Sequence, residues 1–386
     1  STFDEIKDIF DQYVIGNYGR LPIAFERAEG SHIWDTDGNR YLDLIPGLGT
    51  TTIGYTHPEV TRAVQEQAAR LMHVDNYFYT RPQGELAREL NRHCFRSKWF
   101  FCNSGTEASE AAIKLARLHG EKQGRFKIVA MEQSFHGRTF ASISATGQDR
   151  FHKGYVPLVP GFEHVPFNDI DALADAVDDE TCAVMLEPVQ GEGGVYPADK
   201  DYLTSVRELC NDRGVLLVMD EVQSGMGRTG EWFAHQNYGI EPDIMGLAKA
   251  LGGGVPIGAI GARPEVAESL APGTHASTFG GNPLACSAAL AVLRVIEEEN
   301  LLTACRERTK ELAERFEQME KEYSIVTETR GLGLMRGMEL DRPGDAVVEH
   351  CLQNRVRINC TSGNVVRMLP CMNVDADELQ GALLMV

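Results

Sequence analysis

Four stretches of the chain end an apolar run on side chains capable of chemistry. In VLLVMDEVQ five apolar residues deliver Asp220 and Glu221, with Gln223 close behind, to what reads as a buried strand end. A carboxylate placed there is either a solvated strand terminus or a fixed negative charge facing a ligand. FFCNSGTEASEAAIKLA empties a strand through Ser104, Gly105 and Thr106 into a helix. Free N–H groups at a helix start, with a glycine that permits close approach, make that turn an anion cup as well as an ordinary cap. MEQSFHGRTF offers the flat face of Phe135, the titrating ring of His136 and the carboxylate-matching fork of Arg138, or else a plain surface loop with a cation. DIMGLAKALGGGVPIGAI sets Lys249 among Leu247, Ala248, Ala250 and Leu251. Such a lysine either snorkels to water or, partly buried, gives up its proton and becomes an amine that attacks carbonyls.

The four features together describe one apparatus: an amine to form a Schiff base, a carboxylate to keep a pyridinium nitrogen protonated, a phosphate cup and a ring to stack. Pyridoxal phosphate requires this set of its protein, and a chance conjunction is far rarer than any single member. GMGRTG, residues 225 to 230, satisfies GxGxxG and raises a nicotinamide-dependent dehydrogenase as a rival. Against it, Asp220, Glu221 and Gln223 stand between strand and first glycine, and EWFAHQNYG follows where an apolar helix belongs. The chain has no Gly-Lys dipeptide and so no Walker-type nucleotide loop. A non-catalytic binding protein built on the same framework is the remaining alternative; the presence of Lys249, Asp220 and Arg138 together argues for catalysis.

The elements that must position these residues follow from hydrophobic period. The 386 residues allow two domains and an enclosed site. Phe3, Ile6, Phe10 and Tyr13 fall at helical spacing, and SHIWDTDGNRYLDL places Asp37-Gly38 between alternating runs as a hairpin turn. From about residue 58, helices alternate with short apolar strands (KWFFCNS, FKIVAME, CAVMLEPV, VLLVMDEV, DIMGLAKA, IGAIGA), which predicts an α/β fold with a mostly parallel sheet covered by helices. After residue 285 long helical patterns and glycine-broken strands predict a smaller α+β C-terminal domain. The expected division is 1–57 (helix and hairpin packing with the small domain), 58–285 (large cofactor-binding domain) and 286–386 (small domain).

A net charge of -19 with no basic run argues against nucleic acid or an anionic membrane surface as partner. The nine cysteines form no CxxC pair and no zinc spacing, so no metal site is expected, and they read as thiols of a reducing compartment. No eighteen apolar residues run together, and the charged, helix-periodic start is unlike a signal peptide, so a cytoplasmic location is the expectation.

SGTEASEAAIKLAR, FHGRT, EPVQGEGGV, DEVQSGMGRTG, AKALGGGVPIGA, STFGGNPLAC and VRMLP, in this order and spacing, resemble the class III (subgroup II) pyridoxal-phosphate aminotransferases, over about residues 18 to 380. The likeness is greatest to acetylornithine aminotransferases, with ornithine, succinylornithine and 4-aminobutyrate aminotransferases near. The resemblance implies fold type I and a ping-pong transfer of an ω-amine, that of N-acetylornithine, to 2-oxoglutarate. It further implies that Lys249 carries the cofactor and shuttles a proton, Asp220 pairs with the pyridine nitrogen, Gln223 lies near the phenolic oxygen and Phe135 stacks on the ring. Gly105 and Thr106 would hold the phosphate with Thr278 of a second subunit, making a homodimer obligatory. Arg138, helped by Ser277 from that subunit, would clamp the remote carboxylate, and Arg367 the α-carboxylate of glutamate. Glu192 would shield Arg367 while the ω-amine substrate is bound. Cys371 in VRMLPCM, the threonine-rich IPGLGTTTIGYTHP, and Tyr77, Tyr79 and Arg81 depart from the acetylornithine pattern, which leaves ornithine, succinylornithine, succinyl-diaminopimelate and 4-aminobutyrate as alternative amines.

Overall fold

The computed structural model describes all 386 residues. Its centre is a seven-stranded sheet formed by β1 (Lys98–Cys102), β2 (Lys127–Met131), β3 (Phe162–Val165), β4 (Thr181–Leu186), β5 (Leu216–Asp220), β6 (Ile244–Leu247) and β7 (Gly258–Ala262). The spatial order is β1-β7-β6-β5-β4-β2-β3. The pairs β6–β5, β5–β4, β4–β2 and β2–β3 are parallel, whereas β7 runs antiparallel to both β6 and β1. The one reversal has a local cause. The stretch from Lys249 to Ile257 is too short for the helical crossover that a parallel return needs, and Gly253 and Gly254 at positive φ let the chain turn straight back.

Fully buried strands explain the near-continuous apolar runs, because helices cover both faces. Helix Gly105–Gly120 brings Ala108, Ala112, Ile113 and Leu115 against one face of the sheet. Helix Lys200–Arg213 covers the other with Leu203 and Val206, beside Leu173.

The predicted hairpin is present: His32–Asp35 and Arg40–Asp43 pair antiparallel across a turn with Gly38 at φ 81°. Asp35 organises it by accepting the Asp37 and Asn39 N–H groups at 3.0 and 2.8 Å and the Tyr41 hydroxyl at 3.0 Å. Strand Arg40–Asp43 also pairs in parallel with Val356–Arg357, so the N-terminal segment shares a sheet with residues far down the chain. A second antiparallel sheet joins Val326–Leu332, Met335–Leu340, Val365–Met368 and Asn359–Thr361. Helix Pro283–Glu298 contributes Ala288, Val292 and Ile296 to a core shared with Leu44, Leu251, Met338, Met368 and Leu383. Residue 285, the expected domain limit, lies in the first turn of this helix. The N-terminal helix Phe3–Tyr13 forms as its spacing predicts, opened by a Thr2–Glu5 capping box, yet it buries no residue within the chain.

Candidate active site

Five strands that run in the same direction, β1, β6, β5, β4 and β2, end on one edge of the sheet, and the segments after them surround a cavity of about 430 Å³. After β1 the chain enters helix Gly105–Gly120 through Ser104, whose hydroxyl accepts the Glu107 N–H at 3.3 Å. The first-turn N–H groups of Gly105 and Thr106 have no intrahelical acceptor and lie at the cavity wall. Gly105 is required by space, since a Cβ there would lie 2.9 Å from Val222 Cγ1.

At the end of β5, Asp220 is buried and accepts the Val222 N–H at 3.0 Å. Its Oδ2 lies 2.8 Å from Nδ1 of His136, also buried, whose Nε2 has no partner within the chain. Burial pulls the His136 pKa down, but the Asp220 hydrogen bond and the charges of Asp220 and Glu187 outweigh it and hold the ring above its ordinary value. Lys249 opens the turn after β6 at φ 41°, a left-handed backbone that a non-glycine residue adopts at a cost. Burial lowers the pKa of its amine, as does Arg367, against the opposing charges of Glu192, Asp220 and Glu187. Reactive neutral amine is thereby favoured.

Phe135 and Arg138 follow β2 and line the same cavity. The Arg138 guanidinium lies 4.1 Å from the centre of the Phe151 ring and 5.6 Å from that of Phe135. Thr106 Oγ1 accepts the Arg138 and Thr139 N–H groups, each at 3.1 Å, which ties this loop to the helix start. Glu192, after β4, accepts from Arg367 Nη1 at 2.7 Å, and Gln223 Oε1 lies 3.3 Å from the same nitrogen. Arg367 is 1 % exposed, whereas the Glu192 side chain that covers it is half-buried at the cavity wall. Burial pushes the Glu192 carboxyl up, yet Arg367 and Lys249 outweigh it and hold the group below its ordinary value.

Lys249, Asp220, Gly105, Thr106, Phe135, Gln223, Arg138 and Glu192 therefore meet at one cavity, and Arg367 stands directly behind Glu192. Ser277 and Thr278 do not line it. Ser277 Oγ accepts the Gly280 N–H at 3.0 Å and lies 3.3 Å from Asn103 Nδ2, while Thr278 is exposed. Two further cavity residues were given no role from sequence: His136, singled out only as a titrating ring, and Glu187, not singled out at all. Glu187 has the same signal as Asp220, a carboxylate directly after an apolar strand. Burial, aided by Asp220 and opposed by His136 and two N–H donors, pushes its carboxyl up to about 7.

The profile of the class III aminotransferases matches residues 13–386. The chain is a class III aminotransferase. This aminotransferase is 47% identical over 379 residues to the acetylornithine aminotransferase of Methanocaldococcus jannaschii, covering 97% of this chain and 95% of that one. Among solved structures it resembles the ornithine aminotransferase of Toxoplasma gondii, crystallised with partial occupancy of pyridoxal phosphate, at a TM-score of 0.95 and 32% identity, covering 100% of this chain and 93% of the other. The N-acetylornithine aminotransferase of Stenotrophomonas maltophilia gives a TM-score of 0.84 at 35% identity, covering 98% and 96%. The cofactor of the aminotransferase is pyridoxal phosphate, its fold is type I, and its substrates are small amines and oxo acids. The cavity suits that cofactor in its donor set: a buried carboxylate, a lysine amine of lowered pKa, an aromatic face and unpaired helix-start N–H groups.

Proposed function

We propose that this aminotransferase moves the ω-amine of N-acetylornithine to 2-oxoglutarate, yielding N-acetylglutamate semialdehyde and glutamate, a step of arginine biosynthesis. The observation that carries the reading is that two guanidinia serve one cavity, Arg138 uncovered and Arg367 held under Glu192 at 2.7 Å. A donor with one carboxylate needs one clamp, and a buried guanidinium left without a partner is expensive. Glu192 supplies that partner while Arg138 takes the carboxylate remote from the reacting amine. Five-carbon diacids bring two carboxylates, so Glu192 gives way and Arg367 takes the α-carboxylate. The relatives named above carry the matching activities in their names.

Within this reading Lys249 would hold the cofactor through Nζ and afterwards serve as the base that takes the proton from the amine-bearing carbon of the substrate. Pyridoxal phosphate, when bound, supplies the electron-withdrawing ring that makes that proton removable. Asp220 would hold the cofactor's ring nitrogen protonated, its carboxylate fixed by His136 behind it at 2.8 Å. Phe135 would offer the ring an aromatic face, Gln223 would donate to its phenolic oxygen, and the Gly105 and Thr106 N–H groups would hold the phosphate. The donor carbon is oxidised to an aldehyde, and the oxo acid is reduced as it accepts the nitrogen.

The active unit in this proposal is a homodimer in which the partner subunit's Thr278 and the partner subunit's Ser277 complete the site. Support comes from Leu71, Met72, Tyr77, Phe78, Tyr79 and Phe279, large apolar side chains left exposed by the single chain, as a subunit interface would cover. The reading also keeps residues 1–57 with the small domain, which fits their sheet shared with Val356–Arg357. A cytoplasmic location fits nine cysteines that are all unpaired. No helix is long and apolar enough to cross a membrane.

The test compares kcat/KM for N-acetylornithine, succinylornithine, ornithine, succinyl-diaminopimelate and 4-aminobutyrate, each with 2-oxoglutarate, following glutamate release. Preference for N-acetylornithine is expected. Preference for another amine would move the substrate, and no glutamate from any of them would reject ω-amine transfer.

A further inference from the structure

The roles proposed above leave one buried carboxylate at the cavity without a task. Glu187 follows β4 directly, and its two oxygens accept from two different loops: Oε1 from the Phe135 N–H at 2.9 Å, Oε2 from the Gly191 N–H at 3.1 Å. The first loop carries Phe135 and Arg138, the second Glu192. These loops meet twice more. The Gln190 amide donates to the Glu132 carbonyl at 2.9 Å, and Gly193 lies so close to Gln133 that a Cβ there would be 2.3 Å from its carbonyl oxygen.

The Glu192 loop is held from its other side as well. Thr361 and Ser362 hydroxyls donate to the Glu192 carbonyl at 2.7 and 3.3 Å, and Arg330 donates twice to the Gly194 carbonyl, at 3.0 and 2.8 Å. Val195, buried and β-branched, stands at φ 56°, a conformation retained only where the surroundings dictate it. With its backbone fixed on both sides, Glu192 can uncover Arg367 only by rotation of its own side chain.

We propose that Glu187 is a positioning residue that sets the balance between the two half-reactions, by locking the Glu192 loop to the Phe135 loop so that Glu192 stays over Arg367 until a diacid arrives. This rests on the reading of Glu192 and Arg367 given above. Both carboxylate oxygens are needed, because each accepts one N–H. A glutamine keeps one acceptor and turns an NH₂ donor on the second N–H.

The test uses cofactor-loaded Glu187→Gln protein in single-turnover measurements, with glutamate alone and with N-acetylornithine alone. A loosened Glu192 exposes Arg367 to the carboxylate of the ω-amine donor and admits it in the unproductive direction, while glutamate binding is spared. The glutamate to N-acetylornithine ratio of turnover rate over Kd is expected to rise about fivefold, the worth of one lost hydrogen bond. Gln190→Leu, which removes a second tie outside the cavity, is expected to move the ratio the same way. An unchanged ratio in both variants, or equal loss in both half-reactions alongside a lowered melting temperature, overturns the proposal. Glu192→Gln separates the two layers. If it too leaves the ratio unchanged, the reading of Glu192 fails and the role of Glu187 falls with it; if it raises the ratio and Glu187→Gln does not, only the role of Glu187 fails.

Discussion

At the scale of single residues the site is a balance of buried charges. Arg138 stacks on Phe151 and is exposed, so in its proposed role it would take a substrate carboxylate without first breaking a protein ion pair. Removing a charge-assisted contact of this kind costs about 2 kcal/mol, or roughly 30-fold. The Arg138→Ala enzyme is therefore expected to lose about that factor in kcat/KM for the ω-amine, mostly through KM, in steady-state assays. Glu187 gives a pH signature of definite sign. Its carboxyl is raised to about 7 in the folded protein, so it favours folding below the ordinary carboxylate range and that contribution is lost as pH rises through about 7. Glu187→Gln is neutral throughout. The melting-temperature difference between wild type and this variant is expected to move in favour of the variant as pH rises across that window, with His136, Asp220 and Lys249 the ionisable groups facing the position.

Among the elements, the start of helix Gly105–Gly120 has the narrowest tolerance. Its N–H groups point to the cavity because Ser104 and Glu107 cap the helix from outside, and Gly105 leaves no side chain between them and a ligand. A methyl group at 105 meets Val222 at 2.9 Å. Overpacking of this order costs about 1–3 kcal/mol. Gly105→Ala is expected to weaken pyridoxal phosphate binding about tenfold, measured by titrating cofactor-free protein, while far-ultraviolet circular dichroism stays as in the wild type. The turn between β6 and β7 is a second such element: its glycines allow the antiparallel return, and the return delivers Val255, Pro256 and Ile257 to the cavity wall opposite Lys249's own strand.

For the whole molecule, the surfaces left bare say more than the core. Helix Phe3–Tyr13 buries nothing, and Phe78, Tyr79 and Phe279 are exposed around the segment that carries Ser277 and Thr278. A single chain with this surface is expected to dimerise, so equilibrium sedimentation should return twice the 42.6 kDa chain mass. Thr278→Ala is expected to weaken cofactor binding a few-fold, the effect of one hydrogen bond to a phosphate, although the residue does not line the active-site cavity of its own chain. Wild-type affinity in that variant would remove Thr278 from the site.

Much of this was legible in the residues. Apolar period and capping chemistry act over a few neighbours, so the strands ending at Cys102, Asp220 and Leu247, the helix start at Ser104 and the Asp37-Gly38 turn could be placed from sequence. The amine, carboxylate, ring and anion cup were likewise recognisable, because strand-end chemistry depends on residue type and position in a run. What the sequence by itself determined is thus the fold class, the cofactor and the residues proposed to serve it. Only the tertiary structure decided which of them touch. Glu192 and Arg367 are 175 residues apart, His136 and Asp220 are 84 apart, and Glu187 reaches across to the loop of Phe135. Contacts at such separations are set by strand order and loop packing, and no local pattern of hydropathy or turn chemistry encodes that order. The reversed β7 makes the same point, since its apolar run is the same in either direction and the short turn before it decides.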